Sequence, residues 1–392
     1  MTGARAARFR VMSNEFWFWQ ITLPSGLVGD RTAPAEVSTV RVVATGNSGV
    51  GIAARRCRGW LWGLGLAGLL AGLPCSAQGA KGTITRPLLY FGACNASGSV
   101  AVDTNRFLVA DDENNTIRLY CGDRGGLPLR EFDFDAFLEV ERQGNSREAD
   151  LEAGARIGDR AFWIGSHGRN KNGKERSNRH RFFATDIRVT GDEVALEAVG
   201  KPCKTLLDEL ILDARFDALG FAAGAGKAPK ERGAVNIEGL SATPEGHLLI
   251  GFRNPVPQGK ALLIPLLNPN EVVQGGRPRF GPAIRLDLGG LGIRDMALWG
   301  ESYLIIAGSW HGGGPFQLYL WDGPGSDPKP LSVKHLNDYQ PEAIIIYPDK
   351  GLREFQILSD DGSRLRDGVV AREIADPRQQ CFRSFWVRRS AK

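Results

Sequence analysis

The most regular stretch of the chain consists of two apolar runs separated by one polar turn. Residues 236–255 read NIEGLSATPEGHLLIGFRNP, in which an apolar run follows Glu238 and a second one ends before Arg253. The sequence Pro-Glu-Gly at 244–246 lies between the runs, and Pro and Gly in this arrangement favour a reversal of the chain. Two short apolar runs joined by a Gly-bearing turn are typical of a β-hairpin.

The same plan recurs along the chain and gives five hairpins. In each, a residue at the start of the first run has a partner fifteen positions later, or nineteen in the last hairpin. The pairs are Ser97 with Asp112, Glu152 with His167, Glu238 with Arg253, Asp295 with Trp310, and Glu342 with Asp361. The midpoint of every pair falls in a polar segment that itself favours a turn. Because residues equidistant from a hairpin turn lie opposite each other, both members of each pair are predicted to lie at one end of their hairpin.

Two further strand-like runs follow each hairpin, such as TIRLYC and REFDF after the first and VVAREI and FRSFWVR after the last. A repeated unit of four short strands is typical of a β-propeller blade. The sequence therefore predicts an all-β fold, a β-propeller with five countable four-stranded blades. The longest interval between repeats contains TLLDELILDARFDALGF at 205–221, whose apolar spacing is helical. We predict a helical insertion there, and a sixth, degenerate blade in the same interval is the alternative.

A propeller has to pair the two ends of its chain, since an open strand edge invites aggregation. The early run RPLLYFG at 86–92 and the late run FRSFWVR at 382–388 are suited to this pairing. We predict that they lie side by side in one blade and close the ring.

The chain begins with a segment that has the features of a signal peptide. Three arginines at 55–58 precede the apolar run WLWGLGLAGLL at 60–70, and Cys75 and Ala77 occupy the −3 and −1 positions of a cleavage site. The apolar run is short and rich in Gly for a membrane span. We therefore expect no stable span once the signal has been removed.

These features predict the division of the chain. A signal peptide is predicted at 54–77 and a single β-propeller domain at 78–392, with export to the periplasm or the medium. Residues 1–53 precede the signal and show no regular pattern. They are expected to be an unstructured upstream segment, consistent with a start codon assigned too early.

Four cysteines follow the predicted cleavage site: Cys94, Cys121, Cys203 and Cys381. An even number in an exported chain favours disulfides, for which three connectivities exist. Proximity along the chain favours Cys94 with Cys121, which leaves Cys203 with Cys381. Four buried thiols are the alternative. The sequence has no Cys or His spacing typical of a zinc site.

Several segments of the chain resemble a known family. They are GACNASGSVAV, LVADDENNTIRLY, NIEGLSATPEGHLLIGFRNPVPQGKALLIPL, LDLGGLGIRDMALW, GRNKNGKERSNRHRFF and PEAIIIYP. They are similar to the bacterial domain of unknown function family 3616, and the likeness extends over nearly all of the predicted mature chain. The resemblance implies an exported propeller and carries no activity with it. The short segment EGLS is also similar to the phytase-like esterase propellers.

Charged residues at the strand starts suggest where ligands bind. The first strand of each blade lines the central channel of a propeller, so Glu152, Glu238, Asp295 and Glu342 are predicted to form a ring of carboxylates at one mouth. The second members of the pairs, with Arg294, are predicted to lie just outside this ring: Asp112, His167, Arg253 and Asp361.

Such a ring suits a hard cation. Oxygen ligands of this kind hold Ca²⁺, and Asp112, Glu238, Asp295 and Glu342 are the candidate metal ligands. Arg253 and Arg294 would either neutralise part of the ring or bind a carboxylate or phosphate through paired hydrogen bonds. In the structural alternative, the acidic residues accept backbone hydrogen bonds from the next blade or pair with arginine.

Two classes of function are consistent with this pattern. The first is an exported propeller that binds a small ligand or a metal ion at the acidic channel mouth. The second is a Ca²⁺-assisted phosphoesterase or esterase of the phytase-like type. A net charge of +5 is small for 392 residues and comes largely from arginines near the two ends, so we expect no nucleic-acid partner.

Overall fold

The short apolar runs form β-strands throughout residues 80–142 and 147–390, the part of the chain that the computed structural model describes. All of these residues belong to the unit Cys75–Lys392. The predicted signal peptide at 54–77 and the upstream segment at 1–53 lie outside the described residues.

The described chain is predominantly β. In chain order the strands are β1 (Ala80–Phe91), β2 (Ala96–Ala101), β3 (Arg106–Asp111), β4 (Thr116–Cys121), β5 (Arg130–Asp133), β6 (Leu151–Ile157), β7 (Arg160–Gly165), β8 (Phe182–Thr190), β9 (Glu193–Cys203), β10 (Asn236–Ala242), β11 (Leu248–Asn254), β12 (Ala261–Leu266), β13 (Ile284–Leu286), β14 (Gly292–Trp299), β15 (Ser302–Gly308), β16 (Gln317–Trp321), β17 (Lys329–Val333), β18 (Pro341–Ile345), β19 (Glu354–Ser359), β20 (Leu365–Arg366), β21 (Val369–Val370) and β22 (Cys381–Arg389). The α-helices are α1 (Asp135–Leu138), α2 (Leu206–Leu212), α3 (Phe221–Gly224) and α4 (Pro269–Val273). Short 3-10 turns cover Ser177–Arg179, Ala214–Leu219, Pro257–Gly259, Leu336–Asp338, Ala371–Glu373 and Pro377–Gln379.

Four blades are formed by consecutive strands. Their orders are β2-β3-β4-β5, β6-β7-β8-β9, β10-β11-β12-β13 and β14-β15-β16-β17, and every pairing within them is antiparallel. The inner strands of neighbouring blades lie side by side and form a closed ring of β2, β6, β10, β14 and β18. The predicted β-propeller is thereby confirmed.

The fifth blade contains both ends of the described chain, in the order β18-β19-β22-β1. Strand β1 pairs with β22, with Leu88 opposite Ser384 and Tyr90 opposite Phe382, so the predicted closing pair is confirmed. The prediction of VVAREI as a blade strand is wrong. Only Val369–Val370 is extended, in a two-stranded hairpin with Leu365–Arg366. The fourth strand of this blade is β1, from the beginning of the described chain. The segment after β19 therefore supplies only one strand of the blade, β22.

The interval between β9 and β10 is helical, as predicted for 205–221. It contains α2, the 3-10 turn Ala214–Leu219 and α3. Leu210, Phe216 and Phe221 pack in the core between the second and third blades. None of the helices in the described ranges is long and apolar enough to cross a membrane.

Apolar clusters fill all five interfaces between neighbouring blades. Representative pairs around the ring are Leu108 with Trp163, Phe162 with Ile250, Leu263 with Ile305, Leu304 with Phe355, and Phe382 with Phe107. Each of these residues is fully buried. Burial of apolar surface between blades, at about 25 cal/mol per Å², therefore acts around the whole ring and holds it closed.

The two faces of the propeller carry different connections. Turns between the first and second strands are short in four blades, as between Ile157 and Arg160, and the turn of the fifth blade covers residues 346–353. Several connections that follow second and fourth strands are longer, among them the loop 166–181 and the insertion 204–235. These longer connections lie on the face where the inner strands begin, called the mouth face below.

The four cysteines of the described chain are free thiols, so neither predicted disulfide is present in this structure. Each sulfur has a polar neighbour other than sulfur: Gln380 for Cys94, Asp123 for Cys121, Thr205 for Cys203 and Arg366 for Cys381. Burial raises the pKa of the Cys94 thiol and, together with Asp123, that of Cys121. Both thiols are therefore expected to stay protonated at neutral pH.

Candidate functional site

A β-bulge interrupts the beginning of every inner strand. The register shifts by one residue between Ala96 and Ser99, Leu151 and Ala153, Ile237 and Gly239, Ile293 and Asp295, and Pro341 and Ala343. A bulge leaves an extra residue on one strand and redirects its side chain. The extra positions are Ser97 with Gly98, Glu152, Glu238, Arg294 and Glu342. They are equivalent around the ring and lie at the mouth of the channel.

This register corrects the predicted membership of the ring. The position equivalent to Glu238 in the fourth blade is Arg294, and the predicted ring residue Asp295 already pairs with Ile306 in the regular ladder. The Asp295 carboxylate accepts a hydrogen bond from the backbone nitrogen of Ile344 at 2.7 Å. Asp295 therefore joins the fourth blade to the fifth, which is the structural role considered for such residues.

Arg294 is the central cation of the mouth. Its Nη1 lies 3.0 Å from Glu238 Oε2, and its Nε donates to Glu342 Oε2 at 3.1 Å. Burial alone would lower the pKa of Arg294, but the carboxylates of Glu238 and Glu342 raise it, so the guanidinium stays charged. Arg253 Nη1 donates to Glu238 Oε1 at 2.7 Å and neutralises that glutamate from its other side.

The contact between Arg294 and Glu238 is an ion pair without an aligned hydrogen bond. Glu238 Oε2 lies within ion-pair distance of the guanidinium, yet it accepts no hydrogen bond of good geometry in the described chain. At 3.0 Å the guanidinium still compensates the charge of this oxygen, because Coulomb attraction is less directional than a hydrogen bond. Both oxygens of Glu238 therefore face a positive charge.

Glu152 is the ring carboxylate without a cation of its own. Ser97 Oγ donates to Glu152 Oε2 at 3.0 Å, and no described Lys or Arg forms an ion pair with this side chain. One oxygen atom from each of Asp112, Asp150 and Glu152 lies within 4.8 Å of the others, and Glu152 forms a second such group with Glu238 and Glu342. Glu152 therefore links two groups of carboxylates.

The pKa values of these acids are shifted upwards. Burial is the largest cause in each case. It raises the pKa of Asp150 to about 6 and that of Glu342 to about 7, although Arg179 and Arg294 respectively oppose the shift. Burial and then Asp150 hold the pKa of Glu152 well above its usual range, and burial and then Glu152 do the same for Asp112. Positive charge is therefore insufficient around Asp112 and Glu152.

Asp150 is a member of the cluster that the sequence reasoning missed. It precedes β6 by one residue, pairs with Arg179 at 2.8 Å and is buried. The sequence pattern gave no signal for it, because Asp150 lies outside the strand with a φ of 52° and Glu152 lies in a bulge, so the side-chain alternation of a regular strand does not relate the two. Asp112, on the neighbouring blade, contributes an Oδ1 that is shielded from solvent and accepts no hydrogen bond from the described residues.

Two other predicted site residues have structural partners. Asp361 accepts hydrogen bonds from Arg383, with Nε 2.8 Å from Oδ2 and Nη2 2.7 Å from Oδ1, and thereby ties the end of β19 to β22. His167 donates from Nδ1 to the Gly165 carbonyl at 2.8 Å. Burial, helped by His180, lowers the pKa of His167 to about 3, so its ring is neutral at physiological pH.

Beyond the ring, the channel continues towards the opposite face as a cavity of about 440 Å³. Inner-strand residues of all five blades line it, and most are apolar, such as Val100, Leu240 and Met296. Arg156 is the charged residue in the lining of this cavity, whereas the carboxylates lie at the mouth. A donor set of carboxylate oxygens and hydroxyls is of the kind that hard cations such as Ca²⁺ prefer.

Comparison with known proteins supports the family resemblance over part of the chain. Residues 199–341 match the family described as "Protein of unknown function (DUF3616)", and the resemblance is confirmed over that range. It contains the segments NIEGLSATPEGHLLIGFRNP and LGIRD. A comparison with curated proteins gives no match.

Solved propeller-like structures resemble the chain at low identity. Glutaminyl cyclase of Myxococcus xanthus is 12% identical, with 79% of this chain and 97% of the cyclase covered and a TM-score of 0.42. The PQQ-bound aldose sugar dehydrogenase of Streptomyces coelicolor is also 12% identical, with 79% and 99% covered and a TM-score of 0.41. The β-propeller domain of Cps50 from Myceliophteria thermophila is 10% identical, with 78% and 99% covered and a TM-score of 0.32. TM-scores this low carry no argument about chemistry.

The compensation by Arg294 makes a testable prediction. In the variant Arg294→Gln, two buried carboxylates lose their shared cation, and we expect a loss of about 3–5 kcal/mol in the free energy of unfolding at pH 8. At pH 5 the loss should be smaller, because Glu342, with a pKa raised to about 7, is then protonated. Urea unfolding at both pH values measures this.

The matched control is Arg279→Gln, which breaks an ion pair with Glu271 in which both side chains are exposed. We expect it to cost about 0–1 kcal/mol. An Arg294→Gln variant as stable as this control at pH 8 would contradict the role assigned to Arg294.

Proposed function

We propose that this protein is an exported β-propeller that binds a divalent cation, Ca²⁺ first of all, at the acidic mouth of its channel. The ligands would be the carboxylates of Asp112, Asp150 and Glu152. One observation carries the proposal: their oxygen atoms converge within 4.8 Å of one another, while neither Asp112 nor Glu152 forms an ion pair with a described cationic side chain. The predicted signal peptide supplies the expectation of export.

The charges at the mouth favour a cation over an anion as the direct ligand. The guanidinium of Arg294 is already engaged by Glu238 and Glu342, and that of Arg253 by Glu238 and the Ser309 carbonyl. The charge of each arginine is therefore already compensated by a carboxylate of the protein. The remaining unpaired charge is negative, and a cation would offset the mutual repulsion of the carboxylates.

Calorimetric titration of the full chain with CaCl₂ tests the proposal. We expect one binding event with a dissociation constant of about 10⁻⁴–10⁻³ M, the range of extracellular Ca²⁺ modules. Glu152→Gln and Asp112→Asn should each weaken binding by about tenfold or more, since each removes a charged ligand. The control Glu197→Gln removes an exposed acid of the same blade and should leave binding unchanged. Absence of binding to the wild type, or equal binding by all the variants, would refute the site.

The pH dependence gives a second prediction. In the folded protein Asp150 has a pKa raised to about 6, and that of Glu152 is also raised, so below these values protons compete with the cation. Ca²⁺ affinity should therefore rise with pH between about 5 and 8, with release of protons on binding. Titrations in buffers of different ionisation enthalpy would measure that release. An affinity independent of pH would contradict the assignment of these ligands.

Cations on the mouth face favour a second candidate, Ca²⁺-assisted hydrolysis of phosphoesters. The loop 166–181 and the insertion 204–235 carry the exposed residues Lys171, Lys174 and Lys230. Arg169 Nε donates to the carbonyl of Ala225 at 2.7 Å, which joins the two segments. A bound cation would attract a phosphoester to the mouth, and these lysines would add to the attraction.

Activity separates the two candidates. For the hydrolase we expect Ca²⁺-dependent release of phosphate from a phosphomonoester such as p-nitrophenyl phosphate. Release should be lost in Glu152→Gln and reduced in a Lys171→Gln, Lys174→Gln double variant. The control Glu197→Gln should retain it. Ca²⁺ binding by the wild type without turnover of this substrate would refute this second candidate and leave the binding protein.

A further inference from the structure

The face opposite the mouth contains a basic pocket in the fifth blade. It is formed by the turn between β18 and β19 and by the end of β22, and its volume is about 770 Å³. Its charged lining residues are Asp349, Lys350, Arg353, Glu354, Arg388 and Arg389. Four cations and two carboxylates therefore face one concave surface.

The two carboxylates of the pocket are already neutralised. Asp349 Oδ2 lies 2.7 Å from Lys350 Nζ. Glu354 pairs with two arginines, Arg86 at 2.8 Å and Arg388 at 3.3 Å. Each acid is therefore compensated by a cation other than Arg353 or Arg389.

Arg353 and Arg389 are these remaining cations. Neither forms an ion pair with a carboxylate in residues 80–142 and 147–390. The backbone nitrogen of Arg389 donates to the carbonyl of Arg353 at 2.8 Å, so the two residues lie side by side where β22 ends. Each of their guanidinium groups can present five N–H donors in a rigid fork.

Two arginines at the pocket contact aromatic rings, and one of them has an unusual backbone conformation. The Arg389 guanidinium lies 5.7 Å from the ring centre of Trp299, and that of Arg86 lies 4.5 Å from Trp386. Arg86 has a φ of 47° and lies in a register shift of β1 between Thr85 and Leu88. A left-handed non-glycine residue costs energy that the surrounding structure must supply. In this conformation the Arg86 side chain contacts both Trp386 and Glu354.

We propose that this pocket binds a small multivalent oxyanion of the phosphate type. Guanidinium groups bind phosphate or carboxylate oxygens through paired, charge-assisted hydrogen bonds, and Arg353 and Arg389 are the residues with this capacity unused. The concave shape suits a small ligand better than an extended polyanion. The site is independent of the proposed cation site, since it lies in another blade, on the opposite face of the propeller, and has the opposite charge.

Titration of the full chain with inorganic phosphate at low ionic strength tests the inference. We expect saturable binding with one site, weakened about tenfold or more in an Arg353→Gln, Arg389→Gln double variant. The matched control is Arg124→Gln with Arg285→Gln, which removes two exposed arginines elsewhere on the propeller. The control has the same net charge as the test variant and should bind phosphate as the wild type does.

Three outcomes would overturn the inference. They are no binding of phosphate by the wild type, equal weakening in the test and control variants, and binding only to vesicles of phosphatidylglycerol with none to free phosphate. Unchanged Ca²⁺ binding in the test variant is expected, because the two sites are separate. A far-ultraviolet circular dichroism spectrum and melting temperature like those of the control would show that the test variant is folded, so that lost binding reports on the pocket.

Discussion

The buried guanidinium of Arg294 is what allows several glutamates to converge on one channel. Glu238 and Glu342 come from the third and fifth blades, and Arg294 stands between them on the fourth. Without a cation the two carboxylates would repel each other in a medium of low dielectric constant. The same contacts join three blades at the mouth. Glu152, on the second blade, forms no ion pair with a described Lys or Arg, and the charge at the mouth is therefore unbalanced on the side of Glu152 and Asp112.

The bulge that opens each inner strand explains why these residues meet. One extra residue at the same place in five blades redirects one side chain per blade and interrupts the ladder there. The backbone is thus repeated, while the residue type at the equivalent place differs: Ser97, Glu152, Glu238, Arg294 and Glu342. Serine next to Glu152 gives a hydrogen bond but no charge. The fivefold plan therefore supports a site that is chemically asymmetric.

Features that depend on local pattern could be predicted from the sequence. The hairpins, the four-stranded blades and the helical insertion follow from periodicity and turn residues, and the closing pair follows from the need to cover strand edges. The bulge could not be predicted in this way, because one extra polar residue before an apolar run leaves the hydrophobic pattern unchanged. Asp295 was therefore placed in the ring instead of Arg294. Likewise, the apolar run VVAREI has the pattern of a strand. It is not a strand of the fifth blade, because β1 supplies the fourth strand of that blade.

The local distribution of charge on the folded protein differs from what its net charge suggests. A formal net charge of +5 gave no reason to expect a site of either sign. Among the described residues, acids without an ion-pair partner lie at the mouth, while Arg353 and Arg389 form no ion pair on the opposite face, in the fifth blade. The inner strand and its turn separate these ends by roughly 20 Å at about 3.3 Å per residue, whereas the screening length at physiological salt is about 8 Å. The two ends therefore do not cancel each other, and each presents its own charge to solvent. The net charge of such a chain is a sum of opposite local surpluses, and ligand chemistry has to be inferred from each end separately.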